Sequence, residues 1–136
     1  MKTFLSLILG TFVVFAAYAQ EQTATQPGPQ ITFEEKTFDF GDIQQGDQVE
    51  HIFAFENTGD APLILTNVQT TCGCTVPKWP REPIPPGQKS QILVKFNSTG
   101  KMGKINKVVK VISNANTPIS QVIITTNILP KTKDIE

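Results

Sequence analysis

Short segments in which apolar and polar residues alternate recur along this chain, each closed by a cluster of Gly, Pro, Asn or Asp. Alternation of period two marks a strand with one buried face. The clearest case is residues 48–56, QVEHIFAFE. There Val49, His51, Phe53 and Phe55 share one face, the expected core side, against Glu50, Ile52, Ala54 and Glu56. Residues 88–97 repeat the pattern with Ile92, Val94 and Phe96. Residues 31–33 and 37–40 predict a first, interrupted strand that stops at a Gly41-Asp42 turn. Residues 57–60, NTGD, predict a hairpin turn whose Asn and Gly tolerate positive φ. A strand over 63–68 follows, with Pro62 at its start, where a missing N–H does least harm. Residues 70–87 carry five prolines and predict a long connection. Strands over 104–113 and 118–129 then close the chain around a turn at 114–117. No window has a helical period, so the spacing predicts an all-β sandwich of about seven strands.

Residues 1–19 follow a different rule. Lys2 precedes an uncharged, largely apolar stretch over residues 4–17, and Ala17-Tyr18-Ala19 supplies small residues where a signal peptidase cuts. The stretch is short for a permanent transmembrane helix, although an anchor by the same segment stays open. No cysteine lies near the cut, which argues against lipoprotein processing. The expected organisation is a signal peptide at 1–19, a flexible lead-in at 20–30, a sandwich at 31–129 and a tail at 130–136. The expected location is periplasmic or extracellular, without stable membrane insertion of the mature chain. Twelve basic and twelve acidic side chains in 136 residues balance, which gives no electrostatic reason to expect a nucleic acid partner.

Export makes the two cysteines, Cys72 and Cys74 of TTCGCTVP, free to oxidise. Same-face positions of a flat strand lie about 6.6 Å apart, at the outer limit for a disulfide. Gly73 would therefore have to fold the tripeptide. So small a ring adds little stability and is readily reduced. Four readings compete: an oxidisable local bridge, two packed thiols, a metal site and a thiol–disulfide catalyst. Structural zinc wants four ligands, and here only His51, together with a carboxylate, could join the pair. Monovalent copper, soft and content with two thiolates, is the better metal alternative. A thiol catalyst needs a cation or helix end to lower a thiol pKa, and only Lys78 and Arg81 are near in sequence.

The other candidates read more simply. His51, the only histidine, sits on the expected core face and reads as a packed residue rather than a ligand. Trp79, in PKWPRE, reads either as an aromatic folded back over the sandwich end or as an exposed binding anchor with Arg81. Glu34, Glu35, Asp39 and Asp42 read as solvated strand edges rather than a catalytic carboxylate pair. No nucleophile, base and orienting group can be assembled, so no enzyme activity is expected.

Three motifs carry a resemblance to a known family. FENTGDAPL over residues 55–63, CGCT over 72–75 and PPGQ over 85–88 stand in a chain that resembles the exported bacterial DUF1573 proteins across roughly 31–129. That family is similar to the immunoglobulin-like ASPM–SPD-2–Hydin and major-sperm-protein domains. The resemblance implies an immunoglobulin-like β-sandwich and a binding or scaffold role; it transfers no role to either cysteine. The expected function is a non-catalytic binding or assembly module of the cell envelope with a protein partner and no cofactor. Its expected binding loop carries Thr75, Lys78, Trp79 and Arg81. The alternative is a small thiol-redox or copper-handling protein that uses Cys72 and Cys74.

Overall fold

The computed structural model describes residues 27–132. Its strands are β1 (Ile31–Phe33), β2 (Thr37–Gln44), β3 (Gln48–Asn57), β4 (Leu65–Thr70), β5 (Thr75–Lys78), β6 (Lys89–Asn97), β7 (Gly103–Ser113) and β8 (Ile119–Leu129). They form two four-stranded sheets, ordered β1-β3-β6-β5 and β2-β8-β7-β4. The architecture is all-β and immunoglobulin-like, with eight strands rather than about seven. The expected signal peptide lies outside the described residues. Among the described residues, no helix is long and apolar enough to cross a membrane.

The alternating segments face each other across one core. Phe53 and Phe55 of β3 meet Ile92, Val94 and Phe96 of β6, and the opposite sheet adds Val109, Val111, Val122, Ile124 and Ile128, all at most 2% exposed. A pleated strand places alternate residues on one face, so these runs each bury one face. Val49 and His51 point to the same side as Phe53, at the margin of the core. The His51 ring stacks on Phe38 at 3.6 Å between centroids and meets the edge of Phe53, and its Nε2 contacts Glu35 Oε1.

Four sequence expectations are corrected by the backbone. Residues 31–33 and 37–40 are not one interrupted strand: β1 pairs antiparallel with β3 in one sheet, and β2 pairs parallel with β8 in the other. Gly41-Asp42 is not a turn but a bulge within β2. Gly41 takes φ +69°, Asp39 accepts its N–H at 2.8 Å, and its carbonyl accepts the Thr126 hydroxyl at 2.9 Å. A glycine at left-handed φ lets the strand absorb an extra residue and continue. The lead-in is pinned at its end. Pro27 and Pro29 carbonyls accept from Asn116, and Gly28 exchanges hydrogen bonds with Asp60.

The fourth correction concerns NTGD. It is a crossover between sheets, not a hairpin, and neither Asn57 nor Gly59 has positive φ. Asn57 is fully buried. Its amide donates to the Ala61 and Ile84 carbonyls at 2.8 and 2.9 Å, and its Oδ1 accepts from Gly59 N–H at 3.0 Å. Its backbone N–H and carbonyl bond Gln88 and Gly87 of the PPGQ turn. Gly59 is required by proximity, because a Cβ there would run into the Gly28 carbonyl oxygen. At this same end Lys89 bonds Glu34 at 3.0 Å, a hydrogen bond and charge that raise the pKa of its fully exposed ammonium.

Candidate functional site

The cysteines lie at the opposite end of the first sheet. Gln48 of β3 pairs with Asn97 of β6, and Asn97 N–H bonds the Cys74 carbonyl at 2.9 Å. Residues 72–75 form a tight turn, with Thr75 N–H on the Cys72 carbonyl at 3.3 Å. The Thr70 hydroxyl braces it, within reach of the Cys72 carbonyl at 3.1 Å and the Thr75 carbonyl at 3.0 Å. This turn shortens the Cα separation of Cys72 and Cys74 to 5.3 Å, and their sulfurs are joined as a disulfide. Such a separation lies inside the range that a disulfide spans without moving the backbone.

Gly73 does not act as the sequence suggests. Its φ is outside the left-handed region, and a Cβ added to it meets nothing within 4 Å. The braced turn, not glycine torsions, brings the pair together. The closed loop is so short that the chain-entropy relation assigns the bridge roughly 1.6 kcal/mol, about a third of the value for a 100-residue loop. Stability is therefore a weak reason for the pair. Thr75 is buried at 3% exposure, and its hydroxyl lies 4.0 Å from Cys72 Sγ and 3.9 Å from Cys74 Sγ. It is the polar group nearest both sulfurs that these contacts reveal.

The connection expected over 70–87 contains a strand. β5 pairs with the last half of β6, with Thr75 opposite Phe96 and Lys78 opposite Leu93. Thr75 faces the core and Val76 faces out, beside Lys95 and Glu50 on the neighbouring strands, whereas Cys74, in the turn before β5, is partly buried and packs against the core. Lys95 and Glu50 form an ion pair at 3.3 Å with both side chains well exposed, a contact of small worth. On this face lies a groove of about 350 Å³ lined by Gln48, Glu50, Gly73, Cys74, Val76 and Lys95, among others. Val76 is 52% exposed, and Ile52 on the same face is 46% exposed. A slightly larger groove, about 420 Å³, follows the β2 bulge on the other sheet. Its Asp39 and Asp42 are committed to holding that bulge, to Gly41 N–H and to Asn127.

The remaining candidates separate from the sulfurs in different ways. Trp79 folds back, half-buried, against the core, and its Nε1 is buried without a partner among the described residues. The Arg81 guanidinium sits 3.9 Å from the ring centroid. Lys78 is exposed on β5. His51 is occupied by Phe38 and Glu35, as described above. Among the described residues, no three His, Cys, Asp or Glu side chains gather in a metal-binding group. Sulfurs bonded to one another are not thiolate ligands, so a copper role would require the reduced pair. Sequence reasoning missed Gln48, Glu50 and Lys95, whose contribution depends on strand register far from CGCT in the chain.

The model of one protein family, DUF1573, described as a protein of unknown function, matches residues 31–128. The chain belongs to the DUF1573 family. No curated protein matches the sequence. Among solved structures, this DUF1573 chain is similar to a protein of unknown function from Porphyromonas gingivalis W83. That match has a TM-score of 0.65 and 16% identity, over 80% of this chain and 51% of the other. It is also similar to an ASH/PapD-like domain of human CEP192, with a TM-score of 0.64 and 8% identity over 97% of this chain and 100% of that domain. The YadV chaperone matches with a TM-score of 0.51 and 13% identity over 78% of this chain and 54% of its own. This DUF1573 chain spans about half the length of the Porphyromonas gingivalis and YadV chains. Identities this low establish a shared immunoglobulin-type, PapD-like fold and nothing of function.

Proposed function

We propose that this chain is an exported, non-catalytic binding or assembly module of the cell envelope, which holds a protein partner against the outer face of the β1-β3-β6-β5 sheet. The observation that carries the reading is the groove at the β5 end of that face, lined by exposed Val76 and the Glu50–Lys95 pair, with exposed Ile52 further along the same face. Exposed apolar side chains supply contact area in a protein interface, and charges beside them set register and partner choice. β5 is also the last strand of its sheet, so its outer edge can take an added strand from a partner. Support from outside the chain is the fold shared with a structure named as a chaperone and with a PapD-like domain. Export is supported by the signal-peptide pattern of residues 1–19 and by a cysteine pair suited to an oxidising compartment.

The test is partner capture from an envelope extract with the wild-type chain and with Val76→Asp. Val76 is exposed, so the variant is expected to fold normally, which a urea unfolding curve checks. Loss of partners with Val76→Asp supports the face; identical partner sets remove it. Export is tested separately by the N-terminus of the protein recovered from the envelope fraction, expected near Gln20.

A further inference from the structure

We infer that the Cys72–Cys74 bridge is a thiol-exchange site that oxidises a polypeptide dithiol, with attack at Cys74. This goes beyond the recognition reading and does not rest on it. Three features of the turn converge on exchange rather than on structural cross-linking.

The first is access. Cys74 lines the open groove on the outer sheet face, whereas Cys72 is not among the residues lining it. Gly73, the residue between them, is exposed and has open space where a side chain would stand. A thiolate-bearing segment seated in the groove therefore lies beside Cys74, which is partly buried and lines the groove on one side while packing against the core on the other. The Lys95 ammonium, held beside Glu50, keeps the groove from repelling that anion. The second is the leaving group. Attack on Cys74 expels Cys72 as a thiolate, and the buried Thr75 hydroxyl, 4.0 Å from Cys72 Sγ and 3.9 Å from Cys74 Sγ, is placed to donate a hydrogen bond to either departing sulfur, so the choice of attacked sulfur rests on access. Stabilising the departing thiolate speeds exchange.

The third is pre-organisation. Backbone bonds from Thr75 to Cys72 and from Asn97 to Cys74, with the Thr70 brace, hold the two residues without help from the sulfurs. The reduced pair therefore keeps its geometry, and the bridge can open and close while the fold stays intact. Chemically, a partner thiolate bonds to Cys74 Sγ as the S–S bond breaks toward Cys72. The partner's second thiolate then attacks the mixed disulfide at its own sulfur and releases Cys74. The partner leaves with a disulfide, and Cys72 and Cys74 leave with its two electrons and two protons. One bridge oxidises one dithiol.

The experiment mixes the purified, oxidised full chain with a synthetic peptide carrying two cysteines two residues apart, at neutral pH. Acid quenching, thiol alkylation and mass analysis follow the transfer. The expected result is one equivalent of peptide disulfide per chain, formed faster from the folded chain than from the same chain in urea. Thr75→Val should slow the transfer about fivefold, the factor an ordinary hydrogen bond is worth. Offered the peptide in its disulfide form, so that the same exchange runs in reverse, the reduced Cys72→Ser chain should form a mixed disulfide through Cys74 in greater yield than the reduced Cys74→Ser chain forms one through Cys72. No peptide disulfide, or equal rates from folded and unfolded chains, overturns the inference. Preferential trapping by Cys74→Ser overturns the assignment of the attacked sulfur. Trapping by the single-cysteine variants needs no Thr75 substitution, so it decides the question even if Thr75→Val does not fold.

Discussion

The two ends of one sheet carry the three family motifs between them, and these ends are built on opposite plans. At the end where β3 finishes, NTGD and PPGQ close around the Asn57 side chain, which is buried and fully bonded. At the end where β3 begins, CGCT makes a turn whose backbone is equally well braced, yet Cys74 borders an open groove. The first end uses its polar groups on itself. The second leaves one end of a disulfide beside open space. A motif that the fold consumes explains itself structurally; a motif left at the surface after the hydrogen bonds are counted is where function should be sought.

Four substitutions sharpen this contrast, in falling order of effect. Asn57→Ala strands several buried backbone groups at once and should cost about 3 kcal/mol or more in urea unfolding. Gly59→Ala forces a methyl group against the Gly28 carbonyl and should cost about 2 kcal/mol by the same measurement. The double variant Cys72→Ser with Cys74→Ser should cost no more than about 1.6 kcal/mol, the loop-closure value. Gly73→Ala meets no neighbour and should change stability by less than about 0.5 kcal/mol. If the last two rivalled the first, CGCT would be a structural joint like NTGD and the contrast would be lost.

The long two-faced strands were legible in sequence because their core partners are long-range but their alternation is local. Phe53, Phe55, Ile92, Val94 and Phe96 needed no knowledge of register to be assigned inward. β5 was hidden because its four residues include Pro77 within a proline-rich stretch, and only Thr75-Val76 hinted at a strand. The β2 bulge was misread because Gly41-Asp42 has turn composition, and only the Thr126 hydroxyl across the sheet shows that the strand continues. Asn57 was read as a turn residue because a buried polar side chain is recognised by its partners, and these come from residues 59, 61 and 84. Of the candidate site, the sulfurs and Thr75 were visible as a motif. The groove was not, since β3 and β6 supply six of its nine lining residues through pairing alone.

The split of the first strand between sheets has a mechanical consequence. β2 and β8 run side by side in the same direction, from Thr37 beside Ile123 to Gln44 beside Leu129. Once β1 has yielded, tension between the chain ends enters that ladder at Thr37 and leaves it at Leu129. The bonds are then sheared together rather than unzipped singly, so this pair of strands is the clamp that resists stretching.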